Sequence, residues 1–518
     1  MARARTERRA AAPSGKRAAA PTGKRAIAGD RAAGGRRRSS STPAALGPEQ
    51  ALVELLRVLL RFDQPADRTM QGFFRAHPAI GRRDRQRLAD HAYAVLRHRR
   101  LYAHLADSGP GPLERRLALL AQADGTVGGW LSPSVPEQQW LARVAQIDRE
   151  ALPWAVRVSL PDWLAGRLRE QWLDEASREA LGAAMLEPAG LDLRVNPLRA
   201  QPSQVREALN SAGIAAVDDL PAELTGLESL IRVRGRPNLA ALPAFEQGWF
   251  EVQDAGSQWV VRACAARRGQ TVVDLCAGAG GKTLALAAQM RSSGQIYACD
   301  ISARRLQALR PRLARSGATN VQPMRIESEH DGRLGRLRGR ADVVLVDAPC
   351  SGTGTLRRNP DLKWRYGEDD LKRLAGQQRA ILLAAAELVA PGGRLVYATC
   401  SLLRDENEAV ALDAERSWRE AGIGFVRQDI GLARRSQAAA EPCDAACAGM
   451  IGERPEGESG SVSGGTVSVS SGAAADALSS QPRVHDGGDE AFFLRLWPHL
   501  QDCDGFFAAA WRREDGGR

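Results

Sequence analysis

Two cysteines in this chain each follow a short apolar run that is typical of a buried strand. Cys350 stands in Asp-Ala-Pro-Cys after the apolar residues 343–346, and Cys400 stands in Thr-Cys-Ser after the apolar residues 395–398. A thiolate can act as a nucleophile in covalent catalysis, which divides one difficult step into easier ones. A single cysteine at a strand end is more often a small buried residue, but two at comparable positions favour a thiol-based active site.

Two thiols and a carboxylate suit chemistry at carbon 5 of a pyrimidine, which is a poor nucleophile on its own. A thiolate that adds at carbon 6 makes the ring enamine-like, so that carbon 5 can attack an activated methyl group. The proton on carbon 5 must then leave, and the thiol must be eliminated. Asp347 is placed to stabilise the adduct near ring nitrogen 3. The residue types leave open whether Cys350 or Cys400 attacks.

A glycine-rich turn follows another predicted strand and reads Cys-Ala-Gly-Ala-Gly-Gly-Lys-Thr over 276–283. Glycines let the backbone turn sharply and approach a ligand where a Cβ atom would clash. Asp300 follows at a distance where a carboxylate can accept hydrogen bonds from both ribose hydroxyls. A Walker-type ATP site requires glycine where this chain has Cys276, and a dinucleotide would need hydride chemistry that the cysteines do not suggest. S-adenosylmethionine (SAM) is therefore the favoured ligand.

These residues need a sheet that brings the ends of several strands together. The pattern predicts strands over 271–275, 295–299, 321–326, 343–346 and 393–398, with helices over 282–290, 302–316 and 369–389. This alternation calls for an α/β fold with a mostly parallel, doubly wound sheet. Ligands of such sheets bind beyond the carboxyl ends of the strands, where the cysteines and the glycine turn lie. A final strand is expected over 492–496, followed by the motif at 504–507.

The segments before the sheet have other patterns. Leucines at helical spacing predict an all-helical domain, and the alternating residues 191–195 and 230–233 predict strands on either side of a helix over 203–213. The predicted domains are a basic tail over 1–44, the helical domain over 45–150, a small α+β subdomain over 151–248, the catalytic domain over 249–435, a low-complexity insertion over 436–488, and a last strand and tail over 489–518.

Charge and cysteine content restrict the environment. The 518 residues carry a net charge of +11, of which the tail contributes +10, because it holds twelve Lys or Arg against two acids. Such a tail favours polyanions through counterion release, although a solvated arm that binds nothing specific is an equal alternative. The eight cysteines show no paired CxxC motifs, which indicates neither a disulfide framework nor a zinc site. No long apolar run is present, so we expect no membrane span. Scattered reduced cysteines fit a cytoplasmic protein. We also expect a monomer without a metal.

The motifs are similar to those of the Nol/Nop/Sun family of RNA cytosine-5 methyltransferases, in particular its bacterial rRNA branch, called RsmB or Sun. The matching stretches are VQDAGSQ, DLCAGAGGKT, DAPCSGTGTLRRNPDLKW, YATCSLLRDENE and DGFF. LRVN (193–196) resembles the family's small RNA-binding subdomain, and residues 84–100 resemble its NusB-like helical domain. The resemblance covers roughly residues 50–435 and 489–513. It implies a Rossmann-like SAM-dependent methyltransferase that forms 5-methylcytosine in rRNA, with 16S rRNA as the expected substrate.

The resemblance also implies roles for particular residues. Cys400 becomes the nucleophile, and Cys350 promotes release of the methylated RNA. The residues expected to line the SAM site are Cys276, Ala277, Gly278, Ala279, Gly280, Gly281, Lys282, Asp300, Glu327 and Asp347. Two features depart from the family, whose first motif usually reads CAAPGGKT: Gly278 and Ala279 loosen the turn, and either Glu327 or Asp331 could be the acid that faces the adenine.

The segment that follows Cys350 contains four residues that are expected to contact the RNA backbone and a base taken out of the stack: Arg357, Arg358, Lys363 and Trp364. A surface charge pair with a core tryptophan is the alternative. The rival functions are a catalytically inactive ribosome-assembly factor that binds RNA, a cytosine-5 methyltransferase of tRNA or another RNA, and a DNA cytosine methyltransferase. The last would leave Cys400 without a role.

Overall fold

Helices make up the first part of the computed structural model, which describes residues 46–171, 174–430 and 492–515. The helices are α1 (Pro48–Leu59), α2 (Ala66–Ala76), α3 (Arg82–Arg97), α4 (Arg99–Ala106), α5 (Leu113–Ala123) and α6 (Val135–Val144). They pack around a core that includes the fully buried Leu52, Leu88 and Trp140. The expected helical domain is therefore present, while the expected tail and low-complexity insertion lie outside the described residues.

Three further helices connect this domain to the predicted active site: α7 (Trp154–Arg157), α8 (Asp162–Gln171) and α9 (Glu175–Leu186). Their apolar side chains form one buried cluster with Leu402 and Leu403, which closely follow the second cysteine. Gln171 also donates a hydrogen bond to the carbonyl of Leu402 at 3.1 Å. The helical region thus packs directly on the loop that carries Cys400.

A small antiparallel sheet follows, with the strand order β2-β3-β1-β4. Its elements are β1 (Leu191–Val195), α10 (Pro202–Ser211), β2 (Ala216–Val217), β3 (Leu230–Val233), α11 (Pro243–Glu246) and β4 (Phe250–Val252). Strands β1 and β3 lie where the alternating patterns predict them. Strands β2 and β4 were not predicted, because two or three residues are too few to show a period.

Within the described residues the large sheet has eight strands: β5 (Thr271–Asp274), β6 (Gln295–Asp300), β7 (Val321–Arg325), β8 (Ala341–Asp347), β9 (Val389–Thr399), β10 (Phe425–Gln428), β11 (Leu494–Leu496) and β12 (Phe506–Arg513). The order is β10-β12-β9-β8-β5-β6-β7, and β11 pairs with β12. Strands β5 to β9 pair in parallel, which confirms the predicted α/β class with a mostly parallel sheet.

The helices around this sheet are α12 (Ala255–Cys264), α13 (Gly281–Gln289), α14 (Ala303–Ser316), α15 (Leu362–Arg365), α16 (Glu368–Leu388), α17 (Glu408–Glu420) and α18 (Pro498–Gln501). Helices α13, α14 and α16 fall where the sequence predicts helices. None of the helices in the described ranges is long and apolar enough to cross a membrane.

The last strand of the large sheet is a correction to the sequence-based expectation. The main strand is β12, whereas the predicted segment over 492–496 forms only the three-residue β11. Strand β12 lies antiparallel between β9 and β10, and its first six residues are buried. A strand covered on both faces shows no alternation, and its three consecutive alanines are poor strand formers. Its pattern therefore does not indicate a strand.

Candidate active site

The glycine-rich turn connects β5 to α13, which begins at Gly281. Gly278 and Gly280 adopt positive φ angles of 58° and 82°, a region in which residues with a Cβ atom are strained. A Cβ atom on Gly280 would also overlap the side chain of Leu309 on α14. The turn is closed by a hydrogen bond from the Ala277 N–H to the Cys299 carbonyl at 2.8 Å. The glycines thus have the role that the sequence predicts, a sharp turn at a strand end.

Asp300, at the end of β6, is hydrogen-bonded to this turn. Its buried carboxylate accepts hydrogen bonds from the backbone N–H groups of Gly278 at 2.8 Å and Ser302 at 2.7 Å. A carboxylate has further lone pairs beyond these two bonds, so Asp300 can still accept from a ligand. Its expected contact with a ribose stays a prediction.

Arg312 of α14 holds the other side of the turn. It donates to the carbonyl of Ala279 at 2.7 Å and pairs with Glu251 of β4 at 2.9 Å. The small sheet is therefore connected to the predicted cofactor turn through one guanidinium group. Sequence reasoning did not identify Arg312, because its partner Glu251 is 61 residues away in the chain.

Lys282, in the first turn of α13, and Asp347, at the end of β8, form an ion pair with 2.8 Å between Nζ and Oδ2. Although burial lowers the pKa of Lys282, the adjacent Asp347 carboxylate more than offsets this and raises it above the ordinary value. The Lys282 Nζ also lies 5.1 Å from the centroid of the Phe506 ring. Asp347 is therefore held beside the turn and at the carboxyl end of β8, which is also the strand that leads to Cys350.

The structure brings Cys350 and Cys400 into contact, with 3.4 Å between the two sulfur atoms. This separation is longer than the roughly 2.05 Å of a disulfide, so both are thiols. The hydrogen bond between them, together with burial, raises the pKa of Cys350 well above its ordinary value. A third cysteine, Cys276, lies in the turn, and burial raises its pKa. The pair at 3.4 Å is thus the arrangement that suits a reaction with two thiols.

Strand order explains why these two thiols meet. Strands β8 and β9 are parallel neighbours, with Asp347 opposite Ala398, so their carboxyl ends coincide. The loop after β8 then returns to the second cysteine, because the Gly354 N–H donates to the carbonyl of Cys400 at 2.9 Å. A third segment joins them, since the Gly505 N–H donates to the carbonyl of Gly354 at 2.8 Å. The closing Asp-Gly-Phe-Phe motif is therefore part of the site.

Two of the four predicted RNA contacts are buried inside the protein. Lys363 is only 2% exposed and donates to the carbonyl of Arg97 at 2.8 Å, and burial lowers its pKa well below the ordinary value. Arg357 is also buried and pairs with Asp502 at 2.8 Å. These contacts connect the catalytic domain to the helical domain and to the C-terminal segment. They argue against the expected RNA contacts of Lys363 and Arg357, because neither cation reaches the surface.

The other two residues also have protein partners. Arg358 pairs with Asp254 and Asp504, at 2.7 Å in each case. The Trp364 indole donates to the carbonyl of Leu96 at 3.1 Å. Both side chains remain partly exposed, so their contact with RNA stays a prediction.

The acid expected to face the adenine remains undecided between two residues. Asp331 accepts hydrogen bonds from the backbone N–H groups of Arg333 and Glu327, which hold its pKa below the ordinary value. Glu327 has an exposed side chain whose carboxylate lies 3.6 Å from Arg333. Because Asp331 is committed to its own turn, Glu327 is the freer of the two, and its adenine contact stays a prediction.

Comparison with known proteins finds relatives of two parts of the chain. Residues 261–429 match the family model of the 16S rRNA methyltransferase RsmB/F, and residues 160–224 match the ferredoxin-like domain of RsmF/B-like methyltransferases. The chain is 36% identical over 277 residues to a probable ribosomal RNA small subunit methyltransferase B of Synechocystis, covering 53% of this chain and 60% of that one. A Klebsiella pneumoniae ribosomal RNA small subunit methyltransferase B is 36% identical over 252 residues, covering 48% and 55%. The matches thus span less than two thirds of these relatives.

Solved structures show the same fold. A methyltransferase homolog from Pyrococcus horikoshii superposes with a TM-score of 0.51 at 26% identity, covering 71% of this chain and 99% of that one. NSun6 from the same organism, solved with the SAM analogue SFG, superposes with a TM-score of 0.50 at 20% identity, covering 68% and 98%. Residues 160–224 and 261–429 are therefore similar to two domains of the RsmB/F methyltransferases, a family of the SAM-dependent type.

Proposed function

We propose that this protein methylates carbon 5 of a cytosine in rRNA, with 16S rRNA as the substrate, through a covalent bond to Cys400. The observation that carries the proposal is the 3.4 Å contact between the thiols of Cys350 and Cys400, beside Asp347 and the glycine turn. A reaction without a covalent intermediate would not require two cysteines at adjoining strand ends. The match of residues 261–429 to the RsmB/F methyltransferase model supports methyl transfer.

The residues fit the group that the reaction requires. The glycine turn and Asp300 would hold SAM, which supplies an electrophilic methyl group when bound. Asp347 would bind the cytosine near ring nitrogen 3, where a carboxyl group steadies the charge that develops as the adduct forms. Gly278 leaves space on the side where a Cβ atom would project, because in the part of the chain that the structure describes the nearest atom to that position is the Cys276 carbonyl oxygen at 4.0 Å.

The two thiols have different roles in this reaction. Cys400 attacks carbon 6 and forms a sulfur–carbon bond, and the electron pair of the 5,6 double bond becomes available at carbon 5. Carbon 5 takes the methyl group as the bond from that methyl to the sulfonium sulfur breaks and leaves a neutral thioether. A base then removes the proton on carbon 5, its electron pair restores the 5,6 double bond, and the bond between carbon 6 and sulfur breaks to release Cys400 as a thiolate. Cys350 keeps its proton at neutral pH because its pKa is raised, so its S–H can donate a hydrogen bond that stabilises the departing Cys400 thiolate across the 3.4 Å contact. The choice of Cys400 over Cys350 as nucleophile rests on the resemblance of the Thr-Cys motif.

Trapping of the intermediate tests the proposal. With SAM and a 16S rRNA fragment, Cys350→Ala should accumulate a covalent protein–RNA complex that is visible as a retarded band in a denaturing gel, because methylation proceeds while release is slowed. Cys400→Ala and the double variant should form none and serve as matched controls. A complex with Cys400→Ala but not with Cys350→Ala would reverse the two roles.

Absence of methylation by the wild-type protein, with every variant free of adduct, would instead favour an RNA-binding assembly factor. The substrate is tested separately by bisulfite sequencing of cellular RNA with and without the protein. A 5-methylcytosine that disappears from 16S rRNA supports the assignment, whereas one that disappears only from tRNA or another RNA contradicts it.

A further inference from the structure

The two cysteine loops share one buried carboxylate. Glu406 is fully buried in the turn that follows the second loop, and the backbone N–H of Ser351 donates to its Oε1 at 2.8 Å. The hydroxyls of Ser351 and Ser401 both donate to its Oε2, at 2.5 Å in each case. Each serine directly follows a cysteine in the chain. One carboxylate oxygen therefore connects the residue after Cys350 to the residue after Cys400.

A second residue extends this connection to the other side of Cys350. The Gln378 amide, fully buried on α16, donates to Glu406 Oε1 at 3.0 Å and to the carbonyl of Pro349 at 2.9 Å. Because Pro349 and Ser351 flank Cys350, the first cysteine is held on both sides. Glu406 accepts from Ser351 directly and is linked to Pro349 through the Gln378 amide.

The next residue in the chain does the same for the second cysteine. Asn407 Oδ1 accepts from the hydroxyl of Thr399 at 2.5 Å, and its Nδ2 donates to the carbonyl of Ser401 at 2.9 Å. Thr399 and Ser401 flank Cys400. The pair Glu406 and Asn407 thus brackets both cysteines, and among the hydrogen bonds of the described residues neither side chain bonds to a sulfur atom.

We propose that Glu406 is a positioning residue that holds the loops of Cys350 and Cys400 at the separation needed for two-thiol catalysis; this rests on the proposed function. Its carboxylate accepts four hydrogen bonds, from the Ser351 N–H, the two serine hydroxyls and the Gln378 amide. A carboxylate has only acceptors, and this suits a site with donors on both oxygens. A glutamine of the same size replaces one of the two acceptor oxygens with an NH₂ donor, so the hydrogen bonds to that oxygen are lost.

The first measurement is steady-state methylation by Glu406→Gln. We expect kcat to fall by about a hundredfold, since a displacement of about 1 Å at a reacting group has that order of effect, while KM for RNA changes by less than about threefold. The matched control is Glu408→Gln. Glu408 is equally buried two residues away, but it pairs with Arg495 and not with either cysteine loop. Loss of kcat in both variants to the same degree would indicate a merely structural role and overturn the proposal.

A second measurement does not depend on methyl transfer. Phenylarsine oxide bridges two thiols only when they lie close together. In protein whose Cys443 and Cys447 are replaced by serine, the otherwise wild-type chain should bind it through Cys350 and Cys400, and Cys350→Ala should not. We expect Glu406→Gln to bind it about tenfold more slowly, while Glu408→Gln behaves like the wild type. Unchanged bridging in Glu406→Gln would refute the positioning role. If the wild-type protein bridges but does not methylate cytosine, the proposed function fails while the positioning role is still tested.

A milder variant covers the case in which Glu406→Gln does not fold. Ser401→Ala removes one of the hydroxyl groups that donate to the Glu406 carboxylate and leaves Glu406 itself unchanged. We expect it to lower kcat and the bridging rate by about tenfold. If both rates remain at the wild-type level, the proposal is wrong.

Discussion

Arg358 offers a direct choice between a structural role and the RNA contact that its sequence context predicts. Its guanidinium binds two buried carboxylates, those of Asp254 and Asp504. Asp504 directly precedes Gly505, whose N–H contacts the cysteine loop at Gly354. Replacement by methionine keeps most of the apolar stem and removes the charge. We expect Arg358→Met to loosen the C-terminal segment of the active site.

The size of the effect follows from the burial of the partners. Removing one member of a buried ion pair costs about 3–5 kcal/mol, because it leaves a charge without compensation. Arg358 has a side chain that is 29% exposed, which places the cost near the lower end of that range. Burial and the neighbouring Asp254 raise the pKa of Asp504, while Arg358 lowers it. The pKa of Asp504 is about 8 in the wild type and should be higher in the variant, so the additional loss of stability should grow as the pH rises above about 8.

The assay is hydrogen exchange of the Gly505 amide, because its hydrogen bond to Gly354 reports on the segment that Arg358 anchors. A loss of about 3 kcal/mol corresponds to exchange that is faster by about a hundredfold. The control is Arg373→Met, because Arg373 is 59% exposed and pairs only with the neighbouring Asp370 among its described contacts. It should leave the exchange rate unchanged.

The alternative makes the opposite prediction. If Arg358 contacts a phosphate, Arg358→Met should reduce the slope of log K against log salt by about 1 and leave stability intact. Unchanged exchange at Gly505 together with that reduced slope would refute the structural reasoning.

Two further predictions concern the same sheet. Burial raises the pKa of Asp274, at the end of β5, to about 7. The folded protein therefore keeps a proton that the unfolded chain releases above about pH 4. Stability should fall as the pH rises from about 4 to about 7. Asp274→Asn should flatten the pH profile of urea unfolding over that window, and a profile that keeps its slope would contradict the assignment. Gly354→Ala places a Cβ atom in overlap with the Gly505 carbonyl; we expect a loss of about a hundredfold in kcat, whereas Gly376→Ala, on α16 with open space around it, should retain full activity. Equal activity in both would show that the contact is dispensable.

The sequence by itself determined the parallel sheet, the position of each cysteine at a strand end and the glycine turn. These features are local or periodic: the apolar runs at 343–346 and 395–398 identify buried strands, and positive φ at Gly280 requires a residue without a Cβ atom. Adjacent parallel strands end at the same edge of a sheet, so the convergence of Cys350 and Cys400 could be anticipated. The roles assigned to SAM-lining residues remain predictions.

Only the tertiary structure decided what each side chain faces. Lys363 and Arg357 look like surface cations in the chain, but partners far away in sequence bury them. Glu406 carries no local signal of its place between two loops, because its contacts to Ser351 cross 55 residues. Strand β12 is buried on both faces and therefore lacks the alternation that identifies a strand. Burial and long-range hydrogen bonds depend on which surfaces meet, and a local pattern does not contain that information.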